Sequence, residues 1–158
     1  MIFVTVGSQK FPFDRLIQRV DQMLEEGVLG EEVFIQTGTS DYAPRCRHQP
    51  FCEREQFEEL LEACSILITH GGAGTMVEAV KRGKRVVAVP RLARYGEHVD
   101  DHQLELAGRF DAMNLLCACV DIERLPGAVR DVRARSFAKF RSNTERFLAS
   151  LDGCIRTL

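Results

Sequence analysis

The sequence has no apolar run near the ~18 residues that a bilayer-crossing helix needs, so no helical membrane span is expected. It also has little net charge. The 21 Lys and Arg against 23 Asp and Glu give −2, which leaves no electrostatic case for nucleic acid. A basic segment ahead of a short apolar stretch is missing as well. Ile2 to Val6 reads as a strand rather than a leader, and a cytoplasmic location is the default expectation. Six cysteines are present, but never as a Cys-x-x-Cys pair. Cys64 and Cys117 lie in apolar segments, as buried thiols do, and Cys117-Ala118-Cys119 fits alternate positions of a strand. Cys46, His48 and Cys52 lack the spacing of a zinc site. Repeats and low-complexity tracts are absent. Two nucleotide-binding signatures are absent too. No Gly-Lys-Ser/Thr follows the chain's main glycine turn, which excludes a P-loop. The first strand runs into Gly7-Ser8-Gln9-Lys10 rather than a dinucleotide fingerprint, which disfavours an NAD-dependent oxidoreductase.

What is present is a chain of 158 residues, 45% of them apolar, enough for one globular domain over 1–158 with a sizeable core. Ile2 to Val6 predicts a first, central strand. A helix is expected from about Phe13 to Glu26, with Leu16, Ile17, Val20, Met23 and Leu24 on one face and Gly27 as its stop. A strand over Glu32 to Gln36, a brief one within Cys46 to Phe51, a helix over Glu55 to Ala63 and a strand over Ser65 to Thr69 follow. Thr75 to about Arg82 reads as a helix closed by Gly83, and Arg85 to Pro90 as the next strand. Arg91 to Asp101 is a charged loop. After it come a helix from about His102 to Phe110 and a strand near Asn114 to Cys119. Asp121 to Val132 is expected to be helical at its start and limited by Pro126-Gly127. A final helix is expected over about 134–151, with Phe137, Phe140, Thr144, Phe147 and Leu151 as its apolar stripe. Strands alternating with helices, and strands apolar throughout, predict an α/β fold with a doubly wound, Rossmann-like parallel sheet. Ligands in such sheets bind beyond the carboxyl ends of the strands. Gly7-Ser8, His70 to Thr75 and Arg91 to Gln103 are therefore expected to converge.

The stretch Ile66 to Val80 is the centre of that expectation. It passes from strand to helix through Gly71, Gly72, Ala73 and Gly74. N–H groups at a helix start lack internal partners and carry partial positive charge, and glycines let a phosphate approach them closely. Glu78 can accept two hydrogen bonds from a ribose diol while the turn holds a diphosphate. Read blandly, the turn is a tight connection and Glu78 a solvated helix residue. His70 either touches phosphate or sugar or is a satisfied structural histidine. Ser8 either meets a phosphate or caps a helix turn.

Three segments carry a resemblance: Thr5-Val-Gly-Ser-Gln9, His70-Gly-Gly-Ala-Gly-Thr-Met-Val-Glu78, and Pro90 with Gly96-Glu-His-Val-Asp-Asp-His-Gln103. Together they resemble the C-terminal half of MurG-type glycosyltransferases, family 28, of GT-B fold. The similarity is closer to stand-alone versions of that half. These are the cytosolic subunit of the eukaryotic two-part N-acetylglucosaminyltransferase of lipid-linked oligosaccharide synthesis and the PssE-like subunit of bacterial exopolysaccharide and capsule synthesis. Phe13-Asp-Arg-Leu-Ile17 and Gln36-Thr-Gly-Thr-Ser-Asp-Tyr42 favour the bacterial type. The resemblance covers nearly the whole chain.

That resemblance implies a single C-terminal half of a GT-B fold, a UDP-sugar donor and inverting hexosyl transfer to an acceptor hydroxyl. It implies no metal and no other cofactor, because the helix dipole and backbone N–H groups neutralise the diphosphate. By the same analogy Glu78 holds the ribose hydroxyls. Gly72, Ala73, Gly74 and Thr75 with Ser8 surround the diphosphate, Gly7, His70 and Gly71 are further nucleotide-sugar-binding candidates, and the segment around Phe51 and Cys52 places the uracil, largely through backbone groups. Glu97 and His98 contact donor-sugar hydroxyls, with Gln103 a second candidate. MurG differs at these positions, so GlcA, Glc, Gal and GlcNAc all remain open as the sugar. Arg91 is expected to meet an anionic donor or a lipid phosphate, and Arg94 to be a solvated loop residue. His98 and Glu97 are the catalytic candidates on this chain, while the acceptor's general base is expected on a partner. His102 is assigned to a helix start. Asp41 and Tyr42 are expected to close over the donor or to meet the partner.

In the stand-alone families the acceptor-binding half is a separate, membrane-anchored protein. The resemblance therefore implies an obligate partner subunit, a lipid-linked glycan acceptor reached through it, and a peripheral location at the inner face of the membrane. The stripe of the final helix is expected either to pack on its own sheet or to meet that partner. The alternative function is a non-catalytic accessory module that enhances a partner glycosyltransferase.

Overall fold

The computed structural model describes residues 1–142. Six strands form one sheet: β1 (Ile2–Thr5), β2 (Val33–Gln36), β3 (Arg47–Gln49), β4 (Ile66–His70), β5 (Arg85–Val89) and β6 (Cys117–Ala118). Their order is β3-β2-β1-β4-β5-β6 and every neighbouring pair is parallel. The helices are α1 (Asp14–Glu25), α2 (Arg54–Ala63), α3 (Ala73–Lys81), α4 (His102–Ala112) and α5 (Leu125–Ala134). This is the doubly wound α/β arrangement that the apolar strands predict.

The sheet is apolar on both faces because helices cover both. Ile2, Val4, Ile35, Ile66, Ile68, Val87 and Val89 pack with Leu16, Ile17 and Val20 of α1 and Leu125, Val129 and Val132 of α5. Their strand neighbours Phe3, Phe34, Leu67, Val86 and Ala88 point the other way. They pack with Leu61 of α2, Met76 and Ala79 of α3, and Ala107 of α4. Phe3 is fully buried, with its ring 5.3 Å from Phe57 edge-on and 6.3 Å from Phe34. Phe3→Ala is expected to lower stability by about 3–5 kcal/mol, measured as the shift of a urea transition.

Four expectations are corrected by the structure. Ala73 and Gly74 lie in the first turn of α3, so Gly71 and Gly72 alone make the turn. Pro126 sits at the start of α5 and helps to begin it, since proline's missing N–H is not needed in a first turn. The strand near Asn114 to Cys119 shrinks to Cys117–Ala118. Asn114 adopts a left-handed conformation, φ 55°, and its N–H bonds Asp111 O at 2.8 Å to end α4.

The final helix over about 134–151 does not begin where the apolar stripe predicts. Ala134 ends α5, and residues 135–142 have no regular structure. Arg135 is extended and its guanidinium bonds Asn114 Oδ1 at 2.9 Å and Asp111 Oδ1 at 3.0 Å. The N–H of Ala138 bonds Asn114 O at 2.9 Å, so these groups serve the α4 end instead of a helix. Phe137 packs against the core under α1 and α5, Phe140 against the core under α2 to α4. The two rings therefore belong to opposite faces of the sheet. Thr144, Phe147 and Leu151 lie outside the described residues.

Candidate functional site

Strand order reverses between β1 and β4, and Thr5 is level with Thr69 in the register. A crevice therefore opens beyond these two strand ends. It holds a cavity of about 400 Å³ lined by Gly7, Ser8, Gln36, Cys52, Arg54, Phe57, Glu58, Thr75 and Glu78. Five of these, Gly7, Ser8, Cys52, Thr75 and Glu78, are residues that the sequence points to. An adjoining hollow of about 440 Å³ is lined by Ala73, Gly74, Val77 and Lys81 and shares Glu78 with this cavity. Two others lie elsewhere, about 680 Å³ beside Lys81, Arg85 and Lys139 and about 800 Å³ beside Cys117, Asp121 and Asp131. Neither gathers the carboxyl ends of the central strands, so the cavity beyond β1 and β4 is the candidate site.

The start of α3 borders it: Thr75 and Glu78 line this cavity, and Ala73 and Gly74 line the adjoining hollow. Gly72 is the N-cap and no side chain caps the helix; the first internal bond runs from Met76 N to Gly72 O at 3.2 Å. The N–H groups of Ala73, Gly74 and Thr75 thus hold no hydrogen bond among the described residues, and Ala73 and Gly74 are exposed. Bare N–H groups with the positive end of a helix dipole form an anion seat. One turn on, Glu78 is half-buried on the cavity wall. Its Oε1 takes a surface ion pair from Arg82 at 3.0 Å.

The glycines are there because His70 fills the space beside them. A Cβ on Gly7 would lie 2.5 Å from ring atom Cε1 of His70, and one on Gly72 would overlap Nε2. Gly7 is also left-handed, φ +76°. Burial first, then the charge of Arg91, lowers the His70 imidazole to about 4 against a backbone hydrogen bond with Thr5 that opposes them. The ring is neutral at pH 7 and, itself buried, backs the two glycines. Because the folded value lies below the unfolded one of about 6.5, stability is present above pH 6.5. It falls as the pH drops from about 6.5 toward about 4. A loss of up to about 3 kcal/mol is expected over that window by urea unfolding, and His70→Gln should flatten it.

Several sequence candidates sit in the walls instead of facing the cavity. Arg91 is fully buried: Nη2 donates to Val6 O at 2.6 Å, and Nη1 to Phe11 O at 2.8 Å and Pro12 O at 3.2 Å. Glu97 is buried against Arg15, 2.7 Å from its Nε, and its Oε2 accepts Leu92 N at 3.0 Å. Gln103 is buried, and its Oε1 accepts both Gly71 N at 3.2 Å and Arg91 N at 3.1 Å. Gly71 has no room for a side chain, because a Cβ there would lie 2.7 Å from Gln103 Cβ. Arg91, Glu97 and Gln103 are thus struts that tie the three loops together. His98 lies on the same loop, with Nδ1 3.2 Å from Asp100 Oδ1 and its ring 5.6 Å from Phe11. Phe51 is exposed at this sheet edge but does not line the cavity.

Tyr42 is held to α1 rather than over the cavity; its N–H bonds Asp14 at 2.8 Å and its hydroxyl bonds Asp21 at 2.7 Å. His102 opens α4, with its N–H on Asp100 Oδ1 at 3.0 Å. Arg94 lies over the exposed ring of Tyr95, 4.9 Å from its centroid. His48 Nδ1 is 2.8 Å from Cys46 O, and no group of three metal-ligating side chains is assembled among the described residues.

Sequence reasoning missed Gln36, Arg54, Phe57 and Glu58. Gln36 donates to Gly7 O at 3.3 Å and accepts Cys52 N at 3.2 Å, joining two walls. An amide closing an otherwise apolar strand was the available signal. Arg54 and Glu58 pair at 2.9 Å, one turn apart in the helix that follows Cys52.

A parallel sheet with bare helix-start amides at its switch point and an acid one helical turn further on is the fold expected of one half of a GT-B protein. The chain belongs to the glycosyltransferase family 28 C-terminal domain, which it matches over residues 1–154. It is 30% identical over 129 residues to a Mus musculus protein described as UDP-N-acetylglucosamine transferase subunit ALG13, covering 74% of this chain and 10% of that protein. The chain thus spans about a tenth of the length of this curated relative. The solution structure of ALG13 superposes with a TM-score of 0.61 at 15% identity, covering 89% of each chain. The glycotransferase of kitacinnamycin gives a TM-score of 0.64 at 17% identity, covering 85% of this chain and 35% of that one. At these identities the structural likeness is one of fold. No helix among the described residues is long and apolar enough to cross a membrane.

Proposed function

We propose that this chain is the donor-binding catalytic subunit of a two-part, inverting UDP-sugar hexosyltransferase acting in exopolysaccharide, capsule or lipid-linked glycan synthesis. The observation that carries the reading is the cavity where Gly7, Ser8, Cys52, Thr75 and Glu78 meet at the uncapped start of α3. Membership of family 28 and the description of the mouse relative as a transferase subunit support it.

In this reading the diphosphate sits on the N–H groups of Ala73, Gly74 and Thr75, beside Gly7 and Ser8. The ribose diol bonds Glu78, and the uracil lies against Cys52. As the bond from the sugar to the diphosphate breaks, negative charge grows on the leaving UDP. Fixed amides and the helix dipole meet that charge without a divalent metal. His98 faces the sugar from a loop that Glu97 braces through Arg15, and Gln103 holds the loop after β4. A membrane-anchored partner binds the lipid-linked acceptor and supplies the base for its hydroxyl. This places the chain peripherally at the inner face of the membrane.

The accessory reading has one observation in its favour. Both oxygens of Glu97 are already engaged, by Arg15 and by Leu92 N, so that carboxylate is not free to move a proton. Co-expression with the product of the neighbouring gene, followed by a transfer assay with a panel of UDP-sugars, tests the split enzyme. Transfer is expected from the pair and not from either half. Full activity of this chain alone would sink the proposal.

A further inference from the structure

Arg91 has unusual surroundings for a guanidinium. It is fully buried at the end of β5, within a cage of carbonyl oxygens from Val6, Phe11, Pro12 and Glu97 and 4.9 Å from the centroid of the Phe13 ring. Its Nε has no partner. Among the described residues no carboxylate lies within ion-pair distance of it, because the nearby Glu97 carboxylate is turned to Arg15. A buried cation is costly unless something compensates it. Here the compensation within the fold comes from peptide dipoles and from the nearby charge of Glu97, which is itself paired with Arg15, so the three side chains together keep one net positive charge.

Its position explains what the charge acts on. Nη2 holds Val6 O at 2.6 Å, one residue before Gly7 of the cavity wall. The backbone N–H of Arg91 shares Gln103 Oε1 with the N–H of Gly71, one residue before the N-cap of α3. The charge also contributes to keeping His70, wedged between Gly7 and Gly72, in its neutral form. One residue, through its guanidinium on one side and its backbone N–H on the other, therefore touches the supports of both anion-facing segments, and it carries a charge that solvent screens poorly.

We propose that Arg91 is a positioning residue that serves as the built-in countercharge of the donor site. From behind the loops it adds attraction for a diphosphate that it never contacts. The proposal rests on the reading of the cavity as a UDP-sugar site, and it concerns the phosphate part of the ligand alone. It replaces direct contact between Arg91 and an anion.

The test is calorimetric titration of the full chain with UDP and with uridine, for the wild type, Arg91→Lys and Arg91→Met. The readout is the ratio of the two affinities, which a merely structural strut does not move selectively. Arg91→Met is expected to lower UDP affinity about tenfold relative to uridine. Arg91→Lys, which keeps the charge but loses the fork, is expected to keep the ratio within about twofold of wild type. An unchanged ratio in Arg91→Met, or equal loss of the ratio in both variants, would overturn the countercharge. If Arg91→Met does not fold, Arg91→Gln takes its place: a lowered ratio beside a retained one in Arg91→Lys supports the proposal, and an unchanged ratio overturns it. Failure of the wild type to bind UDP at all would instead remove the reading of the cavity.

Discussion

Glu78→Ala is expected to weaken UDP binding by about 10- to 100-fold and to abolish transfer by the reconstituted pair. A carboxylate that accepts hydrogen bonds from both ribose hydroxyls makes charge-assisted contacts, worth about 1.5–3 kcal/mol. Little of that loss can come from the fold. Glu78 lies on the wall of an open cavity, and its partner Arg82 is a surface pair one helical turn away. Such exposed pairs contribute about 0.3–0.5 kcal/mol. The melting temperature should therefore move little while affinity collapses. The same variant separates the two functions. In an accessory module, transfer by the complex persists when donor binding to this chain is lost.

Gly72→Ala is expected to cost about 1–3 kcal/mol in stability and to eliminate UDP binding, measured by urea unfolding and calorimetry. The reason is steric rather than conformational. Gly72 has φ −75° and ψ 129°, which alanine adopts freely, but the new Cβ would enter the His70 ring. The ring has no retreat, because Gly7 closes the other side. Either the imidazole or the start of α3 must shift, and the anion seat shifts with it. The pair Gly72→Ala with His70→Ala should recover part of the lost stability, a coupling that independent sites lack. Gly74 provides the contrast. A Cβ there meets nothing within 4 Å, so Gly74→Ala is expected to leave stability unchanged or raise it by up to about 1 kcal/mol.

The sheet was legible in the sequence because strands buried on both faces leave continuous apolar runs, as at Ile66–Ile68 and Val86–Val89. The convergence of the loops after β1, β4 and β5 followed from the doubly wound order alone. Side-chain direction within those loops was not legible. Arg91 read as a contact for an anion and Glu97 as a contact for the donor sugar, and nothing in an irregular segment marks which side chains turn inward. Their burial depends largely on the carbonyls of Val6, Phe11 and Pro12 and on Arg15, contributed by segments 79 to 85 residues away in the chain. The final helix misled for a related reason. Phe137 and Phe140 have helical spacing, yet Asn114 captures the intervening backbone and sends the two rings to opposite cores. Gln36 was overlooked because a strand-end amide signals a site only once the neighbouring loops are known.

The most direct measurement is the amide spectrum of ¹⁵N-labelled chain titrated with UDP in the presence of EDTA. The amides of Ala73, Gly74 and Thr75 should show large, saturable shifts, together with Gly7, Ser8 and Glu78, and chelator should make no difference. If those resonances stay still while others respond, or if they move only when a divalent metal is supplied, then the start of α3 is not where the nucleotide's phosphates bind as described.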